Sequence, residues 1–325
     1  MHRRTFLRGS ASLALAGFAS SVLAQPSRPS REIRITLPSP GSAGSAWQPL
    51  FKRFALDTGT DLNLDWVTAD PGKMQIQLSA GSLDVGVFGA VGLATLVNRG
   101  SDIVLFGPAL NNHGRWIVRG GSPFHAPRDL IGKTIATTAE TSETYLQARI
   151  AASLNGVDLK KDVKVIHGSP TANLALFERG DVDAIVTLEP TATRLVGRGA
   201  REIARVADMW REATGASEDP FLVGLAASRK WFDANRETAL ELAGLFQRLG
   251  RAVQQEPGAL RQISSDLGLK ETESKAIALL PERLAPAYST RWGKEVFADI
   301  DKQVQVAAEL GLIDRLPGRS LYVNA

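Results

Sequence analysis

Residues 80–87 read Ala80-Gly81-Ser82-Leu83-Asp84-Val85-Gly86-Val87, and residues 179–186 read Arg179-Gly180-Asp181-Val182-Asp183-Ala184-Ile185-Val186. In each, a glycine stops a helix, a polar residue follows, and an apolar run begins with an aspartate near its start. The two aspartates stand about a hundred positions apart. A phrase repeated at that interval predicts two matching α/β halves, and two such halves predict a cleft between lobes.

The surroundings of each copy extend the repeat. In the first half, strands are expected at Ile33–Leu37, Leu62–Val67, Leu83–Phe88 and Ile103–Phe106, with helices at Trp47–Leu56, Gly72–Ala80 and Val91–Asn98. The second half follows the same order. Its strands are Lys133–Thr137, Val163–Ile166, Val182–Thr187 and Glu202–Val206, and its helices are Tyr145–Leu154, Asn173–Glu178 and one starting near Pro190. Alternating βαβ units imply mainly parallel sheets flanked by helices. Two strand-like stretches, Arg115–Arg119 and Pro220–Leu225, cross between the lobes. After Ser228 the pattern is helical (Ala239–Val253, Leu260–Leu267, Glu271–Leu280, Glu295–Leu310), packing against the first lobe and ending in a Tyr322-Val323 tail. The expected partition is 32–112 plus 222–325 for lobe I and 113–221 for lobe II.

The N-terminus reads as an export signal. Arg3-Arg4-Thr5-Phe6-Leu7-Arg8 is basic, Ala11–Leu23 is apolar, and Val22-Leu23-Ala24 offers a cleavage site after Ala24. The paired arginines assign residues 1–24 to the twin-arginine route. The apolar run is shorter than the roughly 20 residues of a spanning helix. A polar, proline-containing leader, 25–31, follows. Without residues 1–24 the chain carries 35 basic and 34 acidic residues, a formal charge of +1 against +4 for the whole sequence. That balance argues against nucleic-acid and membrane-surface partners. The chain has no cysteine, which excludes disulfides, thiolate catalysis and a lipidated cysteine. The expectation is a soluble periplasmic monomer.

In open sheets, ligands bind beyond the carboxyl ends of parallel strands, where helices begin with free N–H groups. The first such place is Ser39-Pro40-Gly41-Ser42-Ala43-Gly44-Ser45, which suits an oxyanion through Ser39, Gly41, Ser42 and Ser45. The second is Thr137–Thr144, where Thr138 and Ser142 are placed to touch ligand, or Thr141 or Ser142 simply caps a helix, Glu143 being a favourable first-turn acid. The third and fourth are Phe88-Gly89-Ala90 and Leu188-Glu189-Pro190. Glu189 either faces the cleft, where it would repel a bare inorganic anion, or caps. Asn111, Asn112 and His113 sit at the first crossover. Trp47, Phe88, Trp116 and Tyr145 have cleft-facing addresses, with one or two serving as an aromatic wall, while Phe51, Phe54 and Phe177 belong to the core.

Asp84 and Asp183 are not a catalytic pair. They start their strands, at the end opposite the crevice, and are read as local hydrogen-bonding scaffold. His113, His125 and His167 lack metal-ligand spacing, and no nucleophile elbow, phosphate loop or dinucleotide fingerprint is present. No catalytic residue, metal or cofactor is expected.

The signal, the two repeated phrases, Asp129-Leu130-Ile131-Gly132-Lys133-Thr134-Ile135-Ala136 and Glu189-Pro190 together resemble periplasmic solute-binding proteins of ABC importers, in the nitrate/sulfonate/taurine group. The resemblance spans Ile33 to the C-terminus. It implies the two-lobed type II periplasmic-binding fold, with two crossover segments and a ligand held between lobes. It further implies delivery to a membrane permease and its ATPase. Carried onto this sequence, the binding places are Pro40–Trp47, Phe88-Gly89, Asn111–His113, Thr138–Ser142 and Glu189. The implied ligand is a small organic anion: a sulfonate, a taurine-like compound or an aromatic carboxylate. Two other classes stay open, an enzyme on the same fold (pyrimidine-precursor or menaquinone-pathway type) and a ligand-sensing subunit of a membrane receptor.

Overall fold

The computed structural model describes residues 31–69 and 71–323. The export signal and all of the leader except Arg31 lie outside the described residues.

The first sheet begins with β1 (Arg31–Leu37), where Ile33 and Ile35 point into the core between partly exposed Glu32 and Arg34. The chain then passes through a 3-10 turn (Ala43–Ala46) into α1 (Trp47–Arg53). β2 (Leu62–Thr68) pairs parallel with β1, α2 (Pro71–Ser79) follows, and β3 (Gly86–Phe88) lies on β1's other side through a parallel bridge, Ile35 to Val85. After α3 (Ala90–Asn98) comes β4 (Ile103–Asn111), fully buried except at its end.

The second sheet is built the same way. β5 (Gly114–Val118) leads, through Pro127–Leu130, to β6 (Thr134–Thr137), α4 (Glu143–Leu154), β7 (Lys164–His167), α5 (Pro170–Arg179) and β8 (Ala184–Leu188). α6 (Thr191–Gly197), β9 (Arg201–Arg205) and α7 (Val206–Thr214) complete it. The chain returns along β10 (Phe221–Ser228) and ends in α8 (Arg229–Ala234), α9 (Arg236–Gln255), α10 (Ala259–Gln262), α11 (Ser274–Leu284) and α12 (Lys294–Glu309).

The strand orders match: β2-β1-β3-β10-β4 in lobe I and β7-β6-β8-β5-β9 in lobe II. Each sheet has a parallel trio and one antiparallel strand that enters directly from a crossover. β10 runs antiparallel between β3 and β4, and β5 antiparallel between β8 and β9. In each sheet that antiparallel strand is the first the chain forms after a crossover, β5 following β4 of lobe I and β10 following α7 of lobe II. The two crossovers lie side by side: Asn112 N–H donates to Pro220 O at 2.7 Å, and Asn111 pairs with Phe221.

The repeated phrase works as a strand clamp. Asp84 Oδ2 accepts the Arg34 N–H at 2.9 Å, and Asp84 N–H donates to Arg34 O at 2.9 Å. In the second copy, Asp183 Oδ2 accepts the Thr134 N–H at 2.9 Å, and its own N–H donates to Thr134 O at 2.8 Å. The bonds reach the neighbouring strand rather than a local turn, Asp84 meeting Arg34 in the middle of β1 and Asp183 meeting Thr134 at the start of β6. Gly81 and Gly180 supply the expected left-handed stops, at φ +69° and +85°.

α9 packs on β4 through Leu242, Phe246 and Leu249 in the lobe I core. The C-terminal helices also touch lobe II, which the helical pattern alone does not reveal. α11 lies on α6 closely enough that a side chain at Gly197 would meet the Ala276 backbone at 2.7 Å, and α12 touches both α3 and α4. The terminal Leu321–Val323 runs along β4, with Leu105 N–H donating to Leu321 O and Val323 N–H to Leu105 O. β9 lies one residue earlier than expected because Val206 opens α7, an amphipathic helix burying Val206, Met209 and Trp210.

Candidate functional site

The carboxyl ends of the parallel strands in both lobes are brought together. On lobe I, β1 runs out into the 38–45 loop. Gly41 sits at φ +96°, which only glycine adopts readily. Gly44 leaves room for Pro38 and Trp47, whose atoms a Cβ would approach to 2.7 and 3.2 Å. Ser42 Oγ donates to Ser39 O at 3.2 Å, so the loop is folded on itself. Ser45 is buried and spends its hydroxyl on Ser42 O and Asp266 O, both at 2.8 Å. Ser39 and Ser42 are the more accessible hydroxyls.

On lobe II, Ser142 caps α4 by accepting the Tyr145 N–H at 3.3 Å, and it shares a short hydrogen bond with Thr138 Oγ1. The two hydroxyls form one partly exposed polar patch at the end of β6. His167, closing β7 beside them, is exposed, places Nδ1 2.7 Å from Thr138 O and meets the Tyr145 ring edge-on. It belongs to the same strand-end cluster, which spacing-based reading of the histidines did not reveal.

Several contacts join the lobes around these loops. Thr191 Oγ1 stands 3.5 Å from Gly41 O. On one flank, Arg194 and Arg198 of α6 pair with Glu273 just ahead of α11. On the other, Glu143 of α4 reaches into the start of α3. Its Oε2 accepts the Gly92 N–H at 3.1 Å, and its Oε1 accepts the Val91 N–H at 3.3 Å and Gln147 Nε2 at 3.2 Å. Gly89 faces that carboxylate so closely that a Cβ would lie 2.1 Å from Glu143 Cδ. Burial raises the Glu143 carboxyl above the ordinary glutamate range, against the lowering effect of these donors. In sequence Glu143 reads only as a first-turn acid. The partner that reassigns it lies 51 residues earlier, in the other lobe.

Glu189 is fully buried, and its lone pairs are taken. Oε2 accepts the Thr193 N–H at 2.8 Å and the Thr193 hydroxyl, capping α6. Oε1 lies 2.9 Å from Arg283 Nη2 and 3.2 Å from Arg115 Nε. Glu202 joins the same arginines, making a four-charge network from β5, β8, β9 and α11. Of its two expected roles, capping is the one the geometry displays.

The crossover residues form a buried polar cluster. Asn112 is buried between Gln147 Oε1 and the Gly114 N–H, beside a cavity of about 10 Å³ lined by Gln147, Trp210, Pro220 and Gln303. Asn111 Nδ2 donates to Pro286 O at 3.2 Å. His113 is 2% exposed, with Nδ1 2.8 Å from Asn111 O, and burial lowers its pKa to about 4.

The aromatic candidates sit in the cores. Trp47 packs edge-on against Phe246, Tyr145 and Trp116 lie in the lobe II core, and Phe88 is packed with Leu78 and Leu93. Gly89 begins α3 with extended backbone, φ −90° and ψ 170°. Of the predicted site, Ser39, Gly41, Ser42, Gly89, Thr138, Ser142 and Glu189 therefore come from the strand ends that face the other lobe, while Phe88 ends β3 with its ring in the core. Asn111, Asn112 and His113 lie at the first crossover, and Ser45, Trp47 and Tyr145 are packed inside a lobe. Among the described residues there is no cluster of side chains suited to a metal ion and no helix long and apolar enough to cross a membrane.

Comparisons place this geometry among known proteins. An alkanesulfonate-binding protein from Xanthomonas axonopodis pv. citri, solved bound to MOPS, superposes with a TM-score of 0.69 over 91% of this chain and 99% of that one, at 20% identity. At that identity the likeness establishes the fold. The taurine-binding periplasmic protein of Escherichia coli K12 is 27% identical over 146 residues, 44% of this chain and 43% of its own. An ATP phosphoribosyltransferase of Solidesulfovibrio magneticus is 25% identical over 235 residues, 69% of each chain, a distant relation that shares the fold. Residues 37–258 match the family described as the periplasmic substrate-binding protein of phosphonate ABC transporters, a family of receptors rather than enzymes. With its paired sheets of matching strand order and its facing loops, the chain belongs to that family.

Proposed function

We propose that the protein is the periplasmic component that captures a small organic oxyanion between its lobes and delivers it to a membrane permease with its ATPase. The ligand class is an alkanesulfonate or a close relative such as a taurine-like sulfonate. Lobe I is 32–112 with 222–325 and lobe II is 113–221, working as a monomer. Residues 1–24 direct export by the twin-arginine route, with cleavage after Ala24.

The observation that carries this reading is the meeting of hydroxyl-bearing loops from both lobes, Ser39–Ser42 near Thr191 and Thr138–Ser142 near the start of α3. Hydroxyl and backbone N–H donors at such strand ends suit an oxyanion, and contacts to both lobes would favour the closed form. The packed aromatics weigh against an aromatic carboxylate. Glu189, whose oxygens are already used, offers no receptor for a ligand ammonium.

A thermal-shift screen of the mature protein against alkanesulfonates, alkylphosphonates, taurine, nitrate and benzoates tests the class. A sulfonate at a hundred times its Kd should stabilise by about 2.7 kcal/mol. Ser42→Asp should weaken that ligand roughly tenfold by like-charge repulsion. No shift with any oxyanion, or an affinity unchanged by Ser42→Asp, contradicts the proposal.

A further inference from the structure

We infer that Glu143 is a latch that holds the two lobes closed when no ligand is bound. It acts as a positioning residue. It is the first residue of α4 in lobe II, yet its carboxylate is held by the Val91 and Gly92 N–H groups of α3 in lobe I, at 3.3 and 3.1 Å. The receiving surface is shaped to it. At Gly89 a Cβ would fall 2.1 to 2.6 Å from Glu143 Cδ, Cγ and Oε1, and at Gly92 it would stand 3.2 Å from Oε2. Nothing else lies within 4 Å of the Gly92 position. A side chain at Gly89 must therefore push the Glu143 carboxylate out of its seat. The Gly89 backbone, at φ −90° and ψ 170°, would accept a side chain without strain.

The grip is continuous with the crossover cluster. Gln147, one turn along α4, donates to Glu143 Oε1, to Phe221 O at 2.9 Å and to Gln303 Oε1 at 3.1 Å. Asn112 of the first crossover donates to Gln147 Oε1. The latch therefore ties α3, α4, both crossovers and α12 into one closed arrangement. Two backbone donors aligned with a helix dipole hold a carboxylate more firmly than neutral hydrogen bonds do. Opening the lobes must release that carboxylate to water.

The inference rests on the reading of the lobes as halves that open and close. The absence of cysteine makes the test direct. Spin labels at Ile76→Cys in lobe I and Lys160→Cys in lobe II, both exposed, report the inter-lobe distance in the ligand-free mature protein. With Glu143 intact, one short distance should dominate. Glu143→Ala should raise the open-to-closed ratio roughly tenfold, as loss of a charge-assisted pair of bonds predicts. Gly89→Ala, which expels the carboxylate from the opposite side, should do the same, and the double variant should be no more open than either single one. Glu143→Gln, which keeps an acceptor oxygen, should restore part of the closure. Distances unchanged in both single variants, additive effects, or an open distribution with Glu143 intact would overturn the latch. A later titration with methanesulfonate separates the two ideas. If it moves no variant while Glu143→Ala still opens, the latch stands and the ligand class falls.

Discussion

His113 illustrates how an address in the sequence differs from an environment. Its place beside the first crossover marks it as a cleft residue, but the chain turns it inward at 2% exposure. Burial keeps its imidazole neutral, with a pKa of about 4 against an ordinary value near 6.5. In the unfolded chain it takes up a proton near pH 6.5, so between about 6.5 and 4 the unfolded state binds more protons. Stability from this residue is complete above that window and is lost as pH falls through it, by about 3 kcal/mol in all. Urea unfolding between pH 4 and 7 should show a shallower decline on acidification for His113→Gln than for the parent protein. Equal slopes would mean that His113 is already charged when folded. Glu143 and Glu189 make the same point about acids. Sequence assigns one to a first turn and leaves the other between cleft and cap. Only the fold supplies the Val91 and Gly92 amides for the first, and Arg115 and Arg283 for the second.

At the scale of elements, the two copies of the repeated phrase do the same physical job. Each glycine ends a helix in the left-handed region, and each aspartate then binds the N–H of the first parallel strand. Asp84→Ala and Asp183→Ala should each cost about 1–3 kcal/mol, because a strand N–H loses its partner. Asn, which keeps an acceptor, should cost less than half as much. Chemical denaturation that finds Ala and Asn equivalent would remove the clamp from the account. The periodic segments were legible because each buries one face: Ile33 and Ile35 in β1, and Leu242, Phe246 and Leu249 in α9. The antiparallel seats of β5 and β10 were not, since alternation of apolar residues does not encode pairing direction. The break between β9 and α7 was hidden because Val206 serves as well at a strand end as at a helix start.

For the whole molecule, a hundred-residue repeat predicted two matching halves, and the two sheets share one strand order, each with one antiparallel strand entering from a crossover. The strand-end loops of the candidate site were legible for the same reason, since topology dictates where parallel strands end. The closing surfaces were not. α11 against α6, Glu273 with Arg194 and Arg198, and Glu143 with α3 join residues far apart in sequence whose spacing carries no signal. These contacts surround the place where a solute would be captured, so binding and closure should be one event. A crystal structure of the mature protein grown with the sulfonate giving the largest thermal shift tests this most directly. The account predicts one ligand between the lobes, its oxyanion within hydrogen-bonding distance of donors from both the Ser39–Ser42 loop and the Thr138–Ser142 loop. A ligand bound to one lobe alone, or away from these loops, would contradict it.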